Sequence, residues 1–246
     1  MKKISLENKV AIVTGGSSGL GLTICDYLIK KKMKIAICAR NISSLKKRYK
    51  KFDQILIKKV DISKENQIYK FVNDVNKKFK KIHYLFNNAG VLKPSRIENI
   101  NLKSLEYSFK VNLYAPAIFI KLVSKFMKKQ NFGRIINISS GGSVNCVEGY
   151  FSYSASKAAI NTLTRTASKE LKNFDIIVNS MSPGPCKTKM FPANKLSTKL
   201  SIPTIDYLVS NTKKENTGNF YWFKKKINIF PDLSNINWAK PKINKK

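Results

Sequence analysis

Tyr153 and Lys157 stand four positions apart, and together they are the pair in this sequence best suited to chemistry. On a helix of 3.6 residues per turn they lie on one face about a turn apart, so a lysine ammonium can reach a phenol. A nearby cation favours phenolate and draws a tyrosine from about 10 toward working pH. Such a phenol suits a general acid/base that passes a proton to or from a carbonyl or alcohol oxygen. Far upstream, Thr14-Gly15-Gly16-Ser17-Ser18-Gly19-Leu20-Gly21 sets glycines between an apolar run and a helical pattern. Glycine lets backbone approach a pyrophosphate, and a helix N-terminus offers unpaired N–H groups and a positive dipole end.

These groups need a scaffold, and the chain supplies a regular one. Lys9 to Thr14 is a short apolar run ended by glycines, Leu20 to Lys31 has apolar positions at helical spacing, and Lys34 to Ala39 is apolar again. That is one βαβ unit, which builds parallel sheet with a right-handed crossover. Strand-like runs recur at Gln54–Val60, Ile82–Phe86, Arg134–Ile138 and Asp175–Ser180, with helical stretches Ile68–Phe79, Leu105–Lys128 and Ser154–Leu171 among them. Strands alternating with helices predict an α/β, doubly wound parallel sheet of Rossmann type in a single domain spanning 1–246. Ligands of such sheets sit beyond the carboxyl ends of the strands. Residues 191–246 are less regular and read as a substrate lid followed by an atypical C-terminal segment.

Further elements follow in order after these strands. Asn87-Asn88-Ala89-Gly90 follows the fourth, Asn112 lies in the long helix, Ser139-Ser140 follow the fifth, Tyr153 and Lys157 form YxxxK, and Pro183-Gly184 follow the sixth. With the TGxxxGxG loop, this ordered set resembles the classical short-chain dehydrogenase/reductase family over about residues 6 to 190. The resemblance implies an active enzyme with the tetrad Asn112, Ser140, Tyr153 and Lys157. By its spacing Ser140, 13 residues before Tyr153, is the hydroxyl that orients the substrate oxygen, with Ser139 second. Lys157 would also hold the nicotinamide ribose, and Asn112 would position a water leading from Lys157 to solvent. Gly15, Ser17, Ser18, Gly19, Leu20 and Gly21 would hold the pyrophosphate, with Asn88, Ala89, Gly90, Pro183 and Gly184 also lining the cofactor. Asp61-Ile62 match the family's contact to adenine and Thr188 its contact to the nicotinamide amide.

Cofactor choice is read at the end of the second strand, where NAD-binding members place a carboxylate on the ribose 2′-hydroxyl. Here Cys38-Ala39-Arg40-Asn41 has no carboxylate and offers a guanidinium for a 2′-phosphate, so NADP(H) is preferred over NAD(H). Plainer roles exist for several of these residues. Arg40 can be a solvated strand end, Asp61 or Ser63 can cap the next helix, His83 can make an ordinary hydrogen bond at a strand start, and Cys38 and Cys146 can be small buried hydrophobes.

The 246 residues carry 47 Lys and Arg against 14 Asp and Glu, a formal charge of +33. Such an excess suggests nucleic acid, membrane or an acidic partner. Yet 42 of the cations are lysines and only 5 are arginines, whereas base and phosphate recognition favours the bidentate guanidinium. Residues 1–123 hold 26 basic and 8 acidic side chains and residues 124–246 hold 21 and 6, so the charge is a coat and not a patch. Lys224-Lys225-Lys226 and Lys245-Lys246 read as part of it. The four cysteines form no CxxC pair and His83 is the sole histidine, which excludes zinc and Cys–His catalysis and predicts no metal. No stretch reaches the length of a membrane span, and the polar start lacks the apolar core of a signal peptide, so a reducing, cytoplasmic location is expected.

The resulting expectation is NADP(H)-dependent reduction of a carbonyl, or its reverse. A 3-oxoacyl thioester, as taken by 3-oxoacyl acyl-carrier-protein reductases, is the most specific substrate, since acidic carriers suit a basic rim. The alternative is a non-catalytic Rossmann-fold protein binding nucleic acid or anionic membrane through its basic surface. The family implies a homodimer or homotetramer, which the departure from Asn219 onward puts in question. There Phe220-Tyr221-Trp222-Phe223 runs into a basic stretch, and Ile229 to Leu233 and Trp238 replace the family's ending.

Overall fold

A computed structural model of the chain describes residues 4–231. Its first strand, β1 (Val10–Thr14), is buried along its whole length, as a central parallel strand covered on both faces must be. Helix α1 (Gly19–Lys30) turns Leu20, Ile24, Cys25 and Leu28 inward and returns the chain to β2 (Lys34–Ala39), in register from Val10 opposite Lys34 to Thr14 opposite Cys38. The alternation continues through α2 (Ser43–Arg48), β3 (Ile55–Lys59), α3 (Glu65–Phe79), β4 (Tyr84–Asn87), α4 (Leu102–Phe109), α5 (Ala115–Lys129) and β5 (Gly133–Ile138). It closes with α6 (Gly142–Asn145), α7 (Phe151–Glu170), β6 (Ile176–Ser182), α8 (Ile202–Val209), β7 (Phe220–Trp222) and β8 (Lys225–Ile227).

The sheet runs in the order β3-β2-β1-β4-β5-β6-β7-β8. All neighbours are parallel except β7 and β8, which pair antiparallel. The strand order reverses between β1 and β4, and that switch point opens a crevice at the carboxyl ends. Alternate residues of each strand feed two cores. Val13, Ile37, Phe86, Met181 and Tyr221 pack with α1 and α8, and Ile12, Leu85, Ile135 and Val178 pack with α3, α5 and α7.

The expected α/β doubly wound sheet is therefore present, with two revisions. The single helix expected over Leu105–Lys128 is two helices joined by one turn of π-helix, Lys110–Tyr114. Such wide turns re-aim a side chain and occur often at functional sites; the side chain re-aimed here is Asn112, which is buried. The irregular C-terminal section holds α8 and a two-stranded hairpin, β7–β8, added to the sheet edge. The expectations for Trp238 and Lys245-Lys246 fall outside the described residues.

His83 precedes β4 and accepts the Val10 N–H on Nδ1 at 2.9 Å. Burial and the cations Lys9 and Lys81 push its pKa down to about 4, so it stays neutral. Cys38 is buried as expected, but Cys146 is exposed. It ends the short helix α6 in the left-handed region, at φ 51°, on a surface loop with no core to enter.

Candidate active site

The glycine loop turns where β1 ends. Gly15 has φ +67°, and a Cβ there would stand 2.9 Å from the Ala89 Cα, so the Ala89 backbone after β4 leaves no room for a side chain. At Gly21 a Cβ would lie within 2.3 Å of the Gly15 carbonyl oxygen, which is how α1 starts so near the turn. Ser18 caps α1 without any side-chain hydrogen bond to the first turn. The first N–H groups of this twelve-residue helix thus have no side-chain cap, the arrangement that receives an anionic oxygen. Asn88 braces the same turn: its Nδ2 donates to the Thr14 and Gly15 carbonyls at 2.8 and 3.2 Å. The Thr14 Oγ1 in turn accepts the Asn88 and Ala89 N–H groups at 3.0 Å each. Asn88 is spent on holding the loop in shape.

Around Gly90, two members of the expected tetrad meet. A Cβ on Gly90 would stand 3.2 Å from Asn112 Oδ1 and 3.5 Å from Lys157 Nζ. Asn112 accepts the Val91 N–H at 2.8 Å and donates to the Val91 carbonyl and to Ser156 Oγ at 2.9 Å each. Lys157, 5% exposed, donates to the Ile138 carbonyl at 2.7 Å and stands 5.8 Å from the centre of the Tyr153 ring. Ser139 and Ser140 part company here. Ser139 Oγ donates to the Lys157 carbonyl at 3.2 Å and ties α7 to the end of β5, whereas the Ser140 hydroxyl lies against the Tyr153 phenol.

The electrostatics differ from the expectation that Lys157 draws the phenol down. Burial raises the Tyr153 pKa, and the Ser140 hydroxyl only partly opposes it. Burial also depresses Lys157, to about 8. Two ionisable groups withdrawn from water each favour the neutral form, and at 5.8 Å from the ring the ammonium does not outweigh that cost. Tyr153 is therefore a loaded proton donor at neutral pH, and Lys157 a cation that can be discharged under mild alkali.

Just past the carboxyl end of β2, Arg40 donates from Nη1 to the Tyr107 hydroxyl at 3.1 Å. It lines a cavity of about 820 Å³ with Asp61, Lys59 and Lys64. Neither Asp61 nor Ser63 caps α3, whose N-cap is Lys64 and has no side-chain bond. The Asp61 carboxylate instead accepts the Ser63 N–H and hydroxyl at 3.0 and 2.7 Å. Burial opposes ionisation, but these bonds and the cations Arg40 and Lys64 prevail and hold the carboxyl below its ordinary range. Ile62 is buried beside it.

Beyond Pro183-Gly184 the chain folds over the crevice. Thr188 Cγ2 reaches within 3.2 Å of where a Gly19 Cβ would be, and Thr188 Oγ1 accepts the Phe191 N–H at 3.2 Å. Thr23 and Thr198 share a 2.6 Å hydrogen bond that fastens this cover to α1. Phe191 presents an edge to the Tyr153 ring, 6.2 Å between centres, and lies 6.3 Å from Tyr150. Phe191 and Tyr150 are site residues that the sequence reading missed; no spacing rule links position 191 to position 153, and only an aromatic residue just after Thr188 hinted at it. Among the described residues no group of three or more His, Cys, Asp or Glu could hold a metal, and no helix is long and apolar enough to cross a membrane.

The family model described as "short chain dehydrogenase" matches residues 9–199. An uncharacterised oxidoreductase of Staphylococcus saprophyticus is 32% identical over 192 residues, covering 76% of this chain and 82% of its own. L-xylulose reductase of Caenorhabditis elegans is 33% identical over 194 residues, covering 74% of each. An NADPH-dependent aldehyde reductase-like protein from Arabidopsis thaliana is 29% identical, covering 76% of each. The solved structure of NADPH-bound carbonyl reductase from chicken fatty liver superimposes with a TM-score of 0.83 at 23% identity, over 90% of this chain and 98% of that one. That likeness supports the fold.

The glycine turn gives a direct test of the crevice. Gly21→Ala must displace the Gly15 carbonyl, so affinity for a dinucleotide, measured by calorimetry, is expected to fall at least tenfold, while far-ultraviolet circular dichroism is unchanged. Undiminished affinity would show that the turn does not shape the site.

Proposed function

The chain belongs to the short-chain dehydrogenase family and is an oxidoreductase of it, and from that premise we propose that it reduces a ketone or aldehyde with NADPH, with Tyr153 as the proton donor. The observation that carries this reading is the meeting of Ser140, Tyr153 and Lys157 at the carboxyl end of β5, beside Gly90 and Asn112. Relatives named for NADPH-dependent aldehyde reduction and for L-xylulose reduction support the direction and the cofactor.

The residues present fit a dinucleotide. The uncapped α1 N-terminus with Gly15, Ser17, Ser18, Gly19, Leu20 and Gly21 would take the pyrophosphate, Arg40 the 2′-phosphate, and Asp61-Ile62 the adenine. Asn88, Ala89 and Gly90, with Pro183, Gly184 and Thr188, would border the nicotinamide half, and Tyr153 and Lys157 its ribose. When bound, NADPH supplies the hydride. Ser140 holds the carbonyl oxygen of the substrate, and Tyr153 gives that oxygen its proton as it becomes an alcohol. A raised Tyr153 pKa suits this direction, because the acid form is the one required. The Lys157 ammonium stabilises the phenolate left behind, and Asn112 holds the Val91 backbone and Ser156 from which a path to solvent starts. Within carbonyl compounds, a 3-oxoacyl thioester fits the basic surroundings, since an anionic carrier would be steered to them.

Incubation with NADPH and an acetoacetyl thioester is expected to give absorbance loss at the nicotinamide band that Tyr153→Phe reduces by a factor on the order of 10²–10⁴; no oxidation above that variant sinks the reading. In the reduction direction kcat/KM should be level at neutral pH and fall as pH rises through about 8, where Lys157 loses its charge. A profile flat well beyond that point would remove Lys157 from the proton step. Arg40→Asp is expected to raise the KM for NADPH and lower that for NADH, and an unchanged ratio would mean that Arg40 does not read the 2′-phosphate.

A further inference from the structure

The added hairpin at the sheet edge ends beside Gly184 in a strained turn. Phe223 and Lys224, the two residues of its turn, have φ 47° and 63°. A two-residue turn with both φ positive is normally built from Asn-Gly or Asp-Gly, because a Cβ is crowded there. Such strain is costly and persists only where surrounding structure imposes it. Two contacts do so here. The Lys224 N–H donates to Oγ1 of the buried Thr204 in α8 at 3.1 Å. The Phe223 ring fills the space over Gly184, whose φ of +76° and missing side chain admit it: a Cβ there would meet Phe223 Cζ at 2.9 Å.

The strained turn fixes the residue before it. Trp222 lies opposite Ser182 in the parallel register of β6 and β7. Tyr221 faces the α1 and α8 core, so Trp222 takes the other face of the sheet with Ser182, whose Oγ accepts the Gly141 N–H next to Ser140 at 3.2 Å. The indole stacks on Phe223 at 5.9 Å, and its Nε1 would come within 3.4 Å of a Gly184 Cβ. That Nε1 is buried and has no hydrogen-bond partner among the described residues. A buried donor left unpaired is destabilising, and tryptophan normally finds an acceptor when buried. The acceptor that it lacks among the described residues is one that a ligand entering past Gly184 can bring.

We propose that Trp222 is a specificity-determining residue, whose indole N–H receives a second acceptor oxygen on the substrate, distal to the carbonyl being reduced. The inference rests on the reductase reading above. Trp222 stands two strands over from β5, after which Ser140 follows, and two strand spacings amount to roughly 10 Å. The preferred substrate is therefore a carbonyl compound with an amide- or ester-like oxygen at about that reach.

Two probes isolate the distal oxygen: the S-(2-acetamidoethyl) and S-pentyl thioesters of 3-oxobutanoate, of equal chain length, the second without the amide. Wild type is expected to favour the acetamidoethyl probe about tenfold in kcat/KM, the worth of one well-made hydrogen bond. Trp222→Phe should lose most of that preference by losing rate on the acetamidoethyl probe alone. Equal loss on both probes, or an unchanged ratio, overturns the role. A nitrogen-15 spectrum of the indole, identified by its disappearance in Trp222→Phe, reads the same contact without turnover. With NADPH and the 3-hydroxybutanoyl acetamidoethyl thioester present, a pair with no hydride acceptor, its proton should shift downfield, and the S-pentyl analogue should not move it. An indole signal that ignores both ligands overturns the proposal, whereas loss of NADPH oxidation on both probes with the indole shift intact counts against the reductase reading alone.

Discussion

A lysine ammonium withdrawn from water, with one carbonyl at 2.7 Å as its fixed partner, is the constraint around which this site is arranged. No carboxylate among the described residues pairs with it, and burial lowers its pKa to about 8. A buried charge is tolerated only if its surroundings are held in place, and the neighbouring elements do that. The Ile138 carbonyl that receives the ammonium is the last of β5. Ser139 binds the Lys157 backbone, Gly90 leaves the space into which Nζ projects, and the π-turn carries Asn112 to the same place. Each of these would be a weak or costly feature alone.

The same withdrawal from water explains why Tyr153 moves up while Lys157 moves down. Hydration is lost by both, and it favoured the charged form of each. The pair thereby keeps a neutral acid beside a cation that is close to discharge, a state in which a proton can leave the phenol when charge develops on a neighbouring oxygen. Phe191 stands edge-on to the Tyr153 ring, with Tyr150 beside it. The large surface charge has little part in this. Five arginines among 47 cations and an even spread along the chain make it a solvated coat, and the one buried arginine, Arg134, is occupied with Asp175 at 3.0 Å and the Asn211 carbonyl at 2.9 Å.

What was legible beforehand had a local cause. The apolar runs of β1, β2, β4 and β5, the glycines after β1 and the four-residue step from Tyr153 to Lys157 are short-range patterns, and they announced the sheet, the crevice and the helical pair. The break in the long helix at Asn112 was not legible, because α4 and α5 keep a continuous helical apolar pattern and the wide turn answers to Val91 and Ser156, 21 and 44 positions away. The preference of Asp61 for Ser63 over the helix end was equally hidden, since both choices use the same residues at the same spacing.

By itself, the sequence determined the fold class, the glycine turn after β1 and the helical step that sets Tyr153 and Lys157 on one face, because periodicity and glycine placement act over a few residues. Only the tertiary structure decided the charge state of those side chains, the parting of Ser139 from Ser140, and the company of Phe191, Trp222 and Gly184 at the crevice. Burial and contact between residues dozens of positions apart set these, and neither is written in any local spacing.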